Sequence, residues 1–306
     1  MGFRDLEYVC ALAENKSITK TAKALGLTQP ALSIFLKNLE AETGTPLFEH
    51  VGKSLVLTYA GERYLHYARE MLIMEKAMDH ELSELQLEDK GCLSLTCMLP
   101  RSTFMIPETI PAFKQAYPNV SIQLYEEVAY DAIERNILDG RASLGIVNYQ
   151  PKDAHITAIP LHEEELLLTV SENHPIAKRM NAHHGDKPRI IDLNDFKNDP
   201  LIIPKNTRTA EQIQAITQKR RLDQPVFLET RNIEIALRLA SEGLGITFLC
   251  DSHINFKYLP DNLVFFSTAD PDAKMMLYLL YRTNSYMPSY IQKYIEMLKD
   301  YACGNL

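Results

Sequence analysis

The sequence predicts an α/β protein in three successive parts: a small helical module with a β-hairpin, one long connecting helix, and a larger two-lobed α/β module. Three observations lead there. In the first 58 positions apolar residues recur at helical spacing in three short blocks, ahead of two short β-patterned runs. From Thr58 a helical pattern continues unbroken to about residue 87, and beyond Lys90-Gly91 strand and helix patterns alternate. A length of 306 residues exceeds what one hydrophobic core usually spans, in keeping with several folding units.

Leu6, Val9, Cys10, Leu12 and Ala13 form one apolar face of a helix near residues 3–14. Ser17 is placed to cap a short second helix carrying Ala22 and Leu25, and Gly26-Leu27 supplies a turn. Thr28 then caps a third helix, whose first turn tolerates Pro30 because no internal hydrogen bond is lost there. At about 100° per residue, Leu32, Phe35, Leu36 and Leu39 face the other helices, while Gln29, Pro30, Ser33, Ile34 and Lys37 face outward. Residues 45–48 and 54–57 read as two strands around a Val51-Gly52-Lys53 turn, a wing.

Helix, glycine turn and a second helix with a small polar outer face is the layout that seats a helix in a DNA major groove. Residues 1–58 are therefore expected to be a winged helix-turn-helix, with the motif at about 18–37. The candidate DNA contacts are Ser17, Thr19, Thr28, Gln29, Pro30, Ser33, Ile34, Lys37 and Lys53. Gln29 suits an adenine edge, Ser33 either base type, Pro30 or Ile34 a thymine methyl, and Lys53 the backbone. The alternatives are a three-helix cluster with a solvated face, or a helix-turn-helix that contacts protein. Net charge is −8, which argues against a chain that simply coats nucleic acid. In residues 1–58 six cations balance six acids, so the DNA reading rests on where the cations sit.

In the connecting helix, residues 59–89, Tyr64, Ala68, Met71, Glu75, Met78, Leu82 and Leu85 recur at alternating spacings of 4 and 3. That is a coiled-coil seam with one charged intruder, and it predicts a dimerising helix rather than one lying on its own domain.

Residues 90–306 read as strands at 92–98, 120–125 and 144–147 with helices at 107–117 and 132–138. A second unit follows, with strands at 166–170, 201–203, 225–228 and 246–249 and helices at 209–219 and 233–242. The chain then returns through strands at 263–266 and 275–281 to a last helix at 288–301. The rhythm predicts a mainly parallel sheet in two lobes, about 90–162 with 268–306 and about 163–267, like a periplasmic solute-binding protein with its ligand in the cleft. Arg101-Ser102-Thr103 and Asn206-Thr207-Arg208-Thr209 follow a strand and precede a helix, one in each lobe. Hydroxyls, a cation and free helix N-terminal amides would seat a small anion there. The candidate effector contacts are Arg101, Ser102, Thr103, Asn148, Thr207, Arg208 and Thr209, with solvated arginines and plain caps as the alternative.

The order and spacing of Ser17-Ile18-Thr19, Thr28-Gln29-Pro30-Ala31-Leu32-Ser33, Leu39-Glu40, Leu47-Phe48 and Leu57-Thr58 resemble the LysR-type transcriptional regulators. Ile106-Pro107, Tyr117-Pro118, Leu144-Gly145-Ile146-Val147, His174-Pro175-Ile176-Ala177 and Gly243-Leu244-Gly245-Ile246 extend the resemblance along the chain. Thr21 and Ser143 stand where that family usually has Ala and Asp, and His50 where it usually has Arg. The resemblance implies a regulator that binds double-stranded DNA as a homodimer or homotetramer and answers a small-molecule effector, which the two loops make an anion, with RNA polymerase as a further candidate partner.

Other classes find little support. Arg4, Asp5 and Glu7 leave no hydrophobic leader, and no apolar run reaches the roughly 18 residues that span a bilayer. A cytoplasmic protein is expected, and a transport-binding protein on the same two lobes is disfavoured. No phosphate loop, nucleophile elbow or zinc spacing is present, so neither an enzyme, a metal nor a cofactor is expected. His183-His184 with Asp186 reads as a surface loop, and Glu163-Glu164-Glu165 as a solvated corner. The five cysteines read as small buried hydrophobes, with a redox role for Cys92 or Cys97 as the alternative.

Overall fold

A computed structural model describes residues 2–52, 54–85, 91–205, 208–254 and 259–302, with the backbone alone at 80, 83–85 and 208. The chain divides into two units, Met1–Glu88 and Asp89–Leu306. None of the described helices is long and apolar enough to cross a membrane.

The first unit contains α1 (Phe3–Asn15), α2 (Ile18–Ala24), α3 (Gln29–Thr43), β1 (Phe48–Val51), β2 (Ser54–Leu57) and α4 (Tyr59–Leu85). Ser17 caps α2 by accepting from the Lys20 amide, and Thr28 caps α3 by accepting from the Ala31 amide. Gly26 adopts φ 68°, a left-handed conformation that a side chain would strain, and so reverses the chain between the two helices. Leu32, Leu36 and Leu39 pack with Val9, Leu12 and Ala22 in one core. Thr21 is fully buried, and its hydroxyl donates to the Ser17 carbonyl at 2.8 Å, so a polar side chain fits this helix contact.

The wing differs from its expected boundaries: β1 begins at Phe48, not at residue 45. Pro46 has no amide to give a ladder, and the Glu40 carboxylate accepts from the Leu47 amide at 2.7 Å and the Phe48 amide at 3.0 Å. Pairing of Val51 with Ser54 leaves a two-residue turn. The Thr58 hydroxyl donates to the Pro46 carbonyl and accepts from the Gly61 amide, fixing the start of α4 beside the wing.

The expected seam of α4 splits. Tyr64 and Ala68 pack within the first unit, because this part of α4 lies along α1. Met71, Met78 and Leu82 are exposed, and Met74 beside them is 72% exposed. The Leu85 side chain lies outside the described residues.

The second unit runs β3 (Gly91–Met98), α5 (Leu99–Phe104), α6 (Ile106–Ala116), β4 (Val120–Glu127), α7 (Tyr130–Leu138), β5 (Leu144–Val147) and β6 (Ile156–Ser171). It continues with α8 (Pro175–Arg179), β7 (Arg189–Ile190), β8 (Leu201–Pro204), α9 (Arg208–Lys219), β9 (Val226–Thr230) and α10 (Ile233–Ser241). Then come β10 (Thr247–Cys250), β11 (Leu263–Ser267), β12 (Lys274–Arg282) and α11 (Ser289–Ala302). The sheet order is β4-β3-β5-β12-β6-β11-β7, with β10 also on β6 and β8-β9 a separate parallel pair.

The expectation of a mainly parallel sheet is corrected. β3 is parallel to β4 and β5, but the returning β12 inserts antiparallel between β5 and β6. β6 also outgrows its expected span of 166–170. Its first ten residues pair with β12, and Leu166–Thr169 pair with β10 instead. One strand therefore serves both lobes.

Glu163-Glu164-Glu165 is accordingly no solvated corner. It lies within β6, whose alternation turns Glu163 outward and buries Glu164 completely. The charge is tolerated because Arg101 on α5 meets it with both guanidinium amino groups, Nη1 donating to Oε1 at 2.7 Å. The Ser252 hydroxyl, just beyond β10, donates to the same oxygen. His253 is buried, stacks on Phe104 and accepts from Arg101 Nη1 at 3.1 Å. Burial by itself raises the Glu164 carboxyl, but the charge and hydrogen bonds of Arg101 prevail and hold it at about 2. Burial, then the charge of Arg101, pushes His253 down to about 3, which keeps the ring neutral.

Two outcomes follow. A methyl at position 61 would lie 1.9 Å from the Leu47 carbonyl oxygen. Gly61→Ala should therefore destabilise the first unit by about 1–3 kcal/mol, measured by urea denaturation. In the second unit both depressed groups contribute stability that is complete above their ordinary values of 6.5 and 4.5 and is lost on acidification. Loss through His253 begins as pH falls below 6.5 and runs toward about 3; loss through Glu164 runs from 4.5 toward about 2. Glu164→Gln should cost about 3–5 kcal/mol at neutral pH, with the gap to the wild type narrowing in acid, followed by thermal unfolding.

Candidate functional site

Two surfaces carry chemistry. On α3, Gln29, Pro30 and Lys37 are exposed, Ile34 is 60% exposed, and Ser33 is half-buried. Gln29 Nε2 donates to the Ser33 hydroxyl at 3.0 Å, which holds the amide along the helix face. The first turn of α3 carries no acid, so nothing there repels a phosphate. Thr19 and Thr28 are exposed at the starts of α2 and α3, with Ser17 half-buried. Lys53 lies outside the described residues. His50 is exposed on β1, where it offers an imidazole in place of a guanidinium.

The second surface is a cavity of about 100 Å³, open to solvent, in the larger unit. The first lobe supplies Met98 to Arg101, the end of β4 with Glu127, and Ile146 to Asn148. The second lobe supplies Lys205, Thr209, Thr230 to Ile233 and the end of β10. The walls are mostly apolar with a few polar groups, the usual make-up of a small-molecule site.

The expected loop at Arg101-Ser102-Thr103 is a helix instead. Leu99-Pro100 opens α5, where proline costs nothing, and the following hydroxyls turn back on it. Ser102 donates to the Leu99 carbonyl at 2.8 Å and to Glu126, and Thr103 donates to the Leu99 carbonyl at 3.1 Å. Arg101 lines the cavity, but its guanidinium is committed to Glu164. Asn148 and Thr209 also line it, and Asn148 Nδ2 contacts the Met275 sulfur at 3.1 Å. Thr207 and the Arg208 side chain lie outside the described residues. Sequence reasoning missed Glu127, Arg231 and His253. Thr230-Arg231-Asn232 repeats the hydroxyl-cation-cap pattern before α10 and was legible on the same grounds as the other two loops.

The cysteines differ in setting. Burial pushes both Cys97 and Cys250 up to about 12, while Cys10 and Cys92 are half-buried and Cys303 lies outside the described residues. Among the described residues no group of His, Cys, Asp and Glu is placed to hold a metal ion. His184 Nδ1 lies 3.0 Å from the Leu263 carbonyl.

Residues 3–62 match the family model described as "Bacterial regulatory helix-turn-helix protein, lysR family", and residues 88–303 match the LysR substrate binding domain. The uncharacterised HTH-type transcriptional regulator YybE of Bacillus subtilis is 30% identical over 82% of this chain and 83% of its own length. The DNA-binding transcriptional dual regulator OxyR of Escherichia coli is 23% identical over 98% of this chain and 95% of its own. Among solved structures, CbnR complexed with its target DNA superposes with a TM-score of 0.63 at 21% identity, covering 98% of this chain and 100% of that one. Full-length OxyR from Pseudomonas aeruginosa reaches 0.71 at 19% identity, covering 99% and 94%. The two modules and these matches agree, and the chain belongs to the LysR family of bacterial regulatory helix-turn-helix proteins.

Proposed function

We propose that this regulator binds operator DNA through α3 and the wing as a homodimer or homotetramer, and that a small metabolite bearing an anionic group changes that binding by closing the two lobes. Residues 1–58 serve DNA, 59–89 assembly and 90–306 the effector, with RNA polymerase as the partner of an activating form. The observation that carries the reading is the cavity walled by two lobes that share one continuous strand, β6. A ligand held by both walls favours the closed arrangement, and only such a difference in affinity can drive a switch. Asn148, Thr207, Arg208 and Thr209 are proposed contacts. Ser102 and Thr103 are set aside because neither lines the cavity and their hydroxyls donate to the Leu99 carbonyl and, for Ser102, also to Glu126.

CbnR, solved on its target DNA, supports the DNA half of the reading. Several relatives are named hydrogen peroxide-inducible genes activators. In this chain a metabolite is favoured over an oxidant acting at Cys97 or Cys250, because both are buried and raised to about 12 and hold little of the thiolate that reacts with oxidants.

Gln29→Ala should relax base preference by about 1–3 kcal/mol at one base pair, read by operator selection from a random duplex library. An unchanged selection profile would remove Gln29 from the groove. For assembly, Met78→Lys with Leu82→Lys should yield monomers in sedimentation and abolish operator binding, since one half-site binds weakly. A dimer that persists in the double variant counts against the α4 seam.

A further inference from the structure

The charges around the cavity point beyond a simple anion. Glu127, at the end of β4, lines the first-lobe wall. Asn136 Nδ2 donates to its Oε1 at 2.7 Å, and the same amide reaches Thr96 Oγ1 at 3.1 Å, which anchors the carboxylate from behind. Its other oxygen has no protein partner among the described residues. Arg101 cannot neutralise it, being paired with the buried Glu164. Across the cavity Arg231 lines the second-lobe wall with no acidic partner among the described residues. Asn232 caps α10 through its side-chain oxygen, which leaves its amide hydrogens available beside Arg231. Met98, Phe248 and Ile233 supply apolar surface to the same cavity.

Glu127 is half-buried and Arg231 exposed, and a ligand that carries both an ammonium and a carboxylate pairs with each, where a ligand of either charge alone forgoes one of the two contacts. A neutral apolar ligand would pair neither. We infer that the effector is a zwitterion: an ammonium group beside Glu127, a carboxylate at Arg231 and Asn232, and a hydrocarbon body on the apolar wall. This deepens the effector-site reading proposed above and rests on it.

The test uses the full-length chain and matched triplets: leucine, phenylalanine and methionine, each beside the amine lacking its carboxylate and the acid lacking its amine. Calorimetric titration should find at least one amino acid bound about tenfold more tightly than either of its two partners. Glu127→Gln, nearly isosteric at a partly exposed site, should weaken that amino acid about tenfold and leave the matched acid unchanged or improved. Arg231→Ala should weaken amino acid and acid alike and spare the amine. If the acids bind as tightly as the amino acids, or Glu127→Gln leaves the amino acid affinity unchanged while Arg231→Ala lowers it, the zwitterion is overturned and the anionic-effector reading stands. If amino acid binding survives both substitutions, Glu127 and Arg231 do not hold the ligand and the zwitterion assignment falls, while the effector reading through Asn148 and Thr207 to Thr209 stands. Failure of all nine compounds overturns the zwitterion and, because the acids fail too, counts against the anionic effector.

Discussion

The Arg101–Glu164 ion pair is the interaction on which the larger module depends. Glu164 sits two residues before β6 leaves β12 for β10, where the two lobes meet in one strand. A carboxylate buried at that point without a partner would cost several kcal/mol, so α5 has to stay against β6 to supply the guanidinium. Ser252 and His253 close the arrangement from the end of β10. A single pair thereby ties a first-lobe helix, the shared strand and a second-lobe turn. Motion between the lobes has to take place around it.

The same pair sets the chemistry of the cavity. A guanidinium at the wall looks like the natural anchor for an anion, yet Arg101 together with Glu164 presents no net charge. Recognition then passes to the groups left over: Glu127 on one wall, Arg231 and Asn232 on the other, with Asn148 and Thr209 among the apolar surface. The neutral ring of His253 adds no charge, because its burial beside Arg101 disfavours protonation. The polarity of the site is thus decided by which ions are already paired.

In the smaller module one residue often serves two elements. Glu40 belongs to α3 but binds the amides that start the wing, and Thr58 ends the wing while capping α4. The helix whose outward side is proposed to meet DNA is thus tied to the wing through Glu40. α4 divides along its length: its first turns complete the module's core, and its later turns present methionines to the outside. Methionine is unbranched and adaptable, which suits a helix face awaiting the proposed second copy.

The sequence by itself determined the local structure. Periodicity placed α1, α3, α4 and α10 to within a few residues, Ser17 and Thr28 marked the caps of α2 and α3, and the outward face of α3 followed from 3.6-residue geometry. These features depend on neighbours along the chain, so they are legible there. Tertiary structure alone decided the pairings between distant residues. Three acids in a row look solvated until β6 alternation and Arg101, 63 positions away, account for the middle one. Arg101 looks available for the same reason. The antiparallel insertion of β12, the early part of α4 spent on its own core, and the meeting of Glu127 and Arg231 at one cavity all come from long-range packing. A charge is free or neutralised according to what the fold brings beside it, and that partner is encoded nowhere near it in the chain.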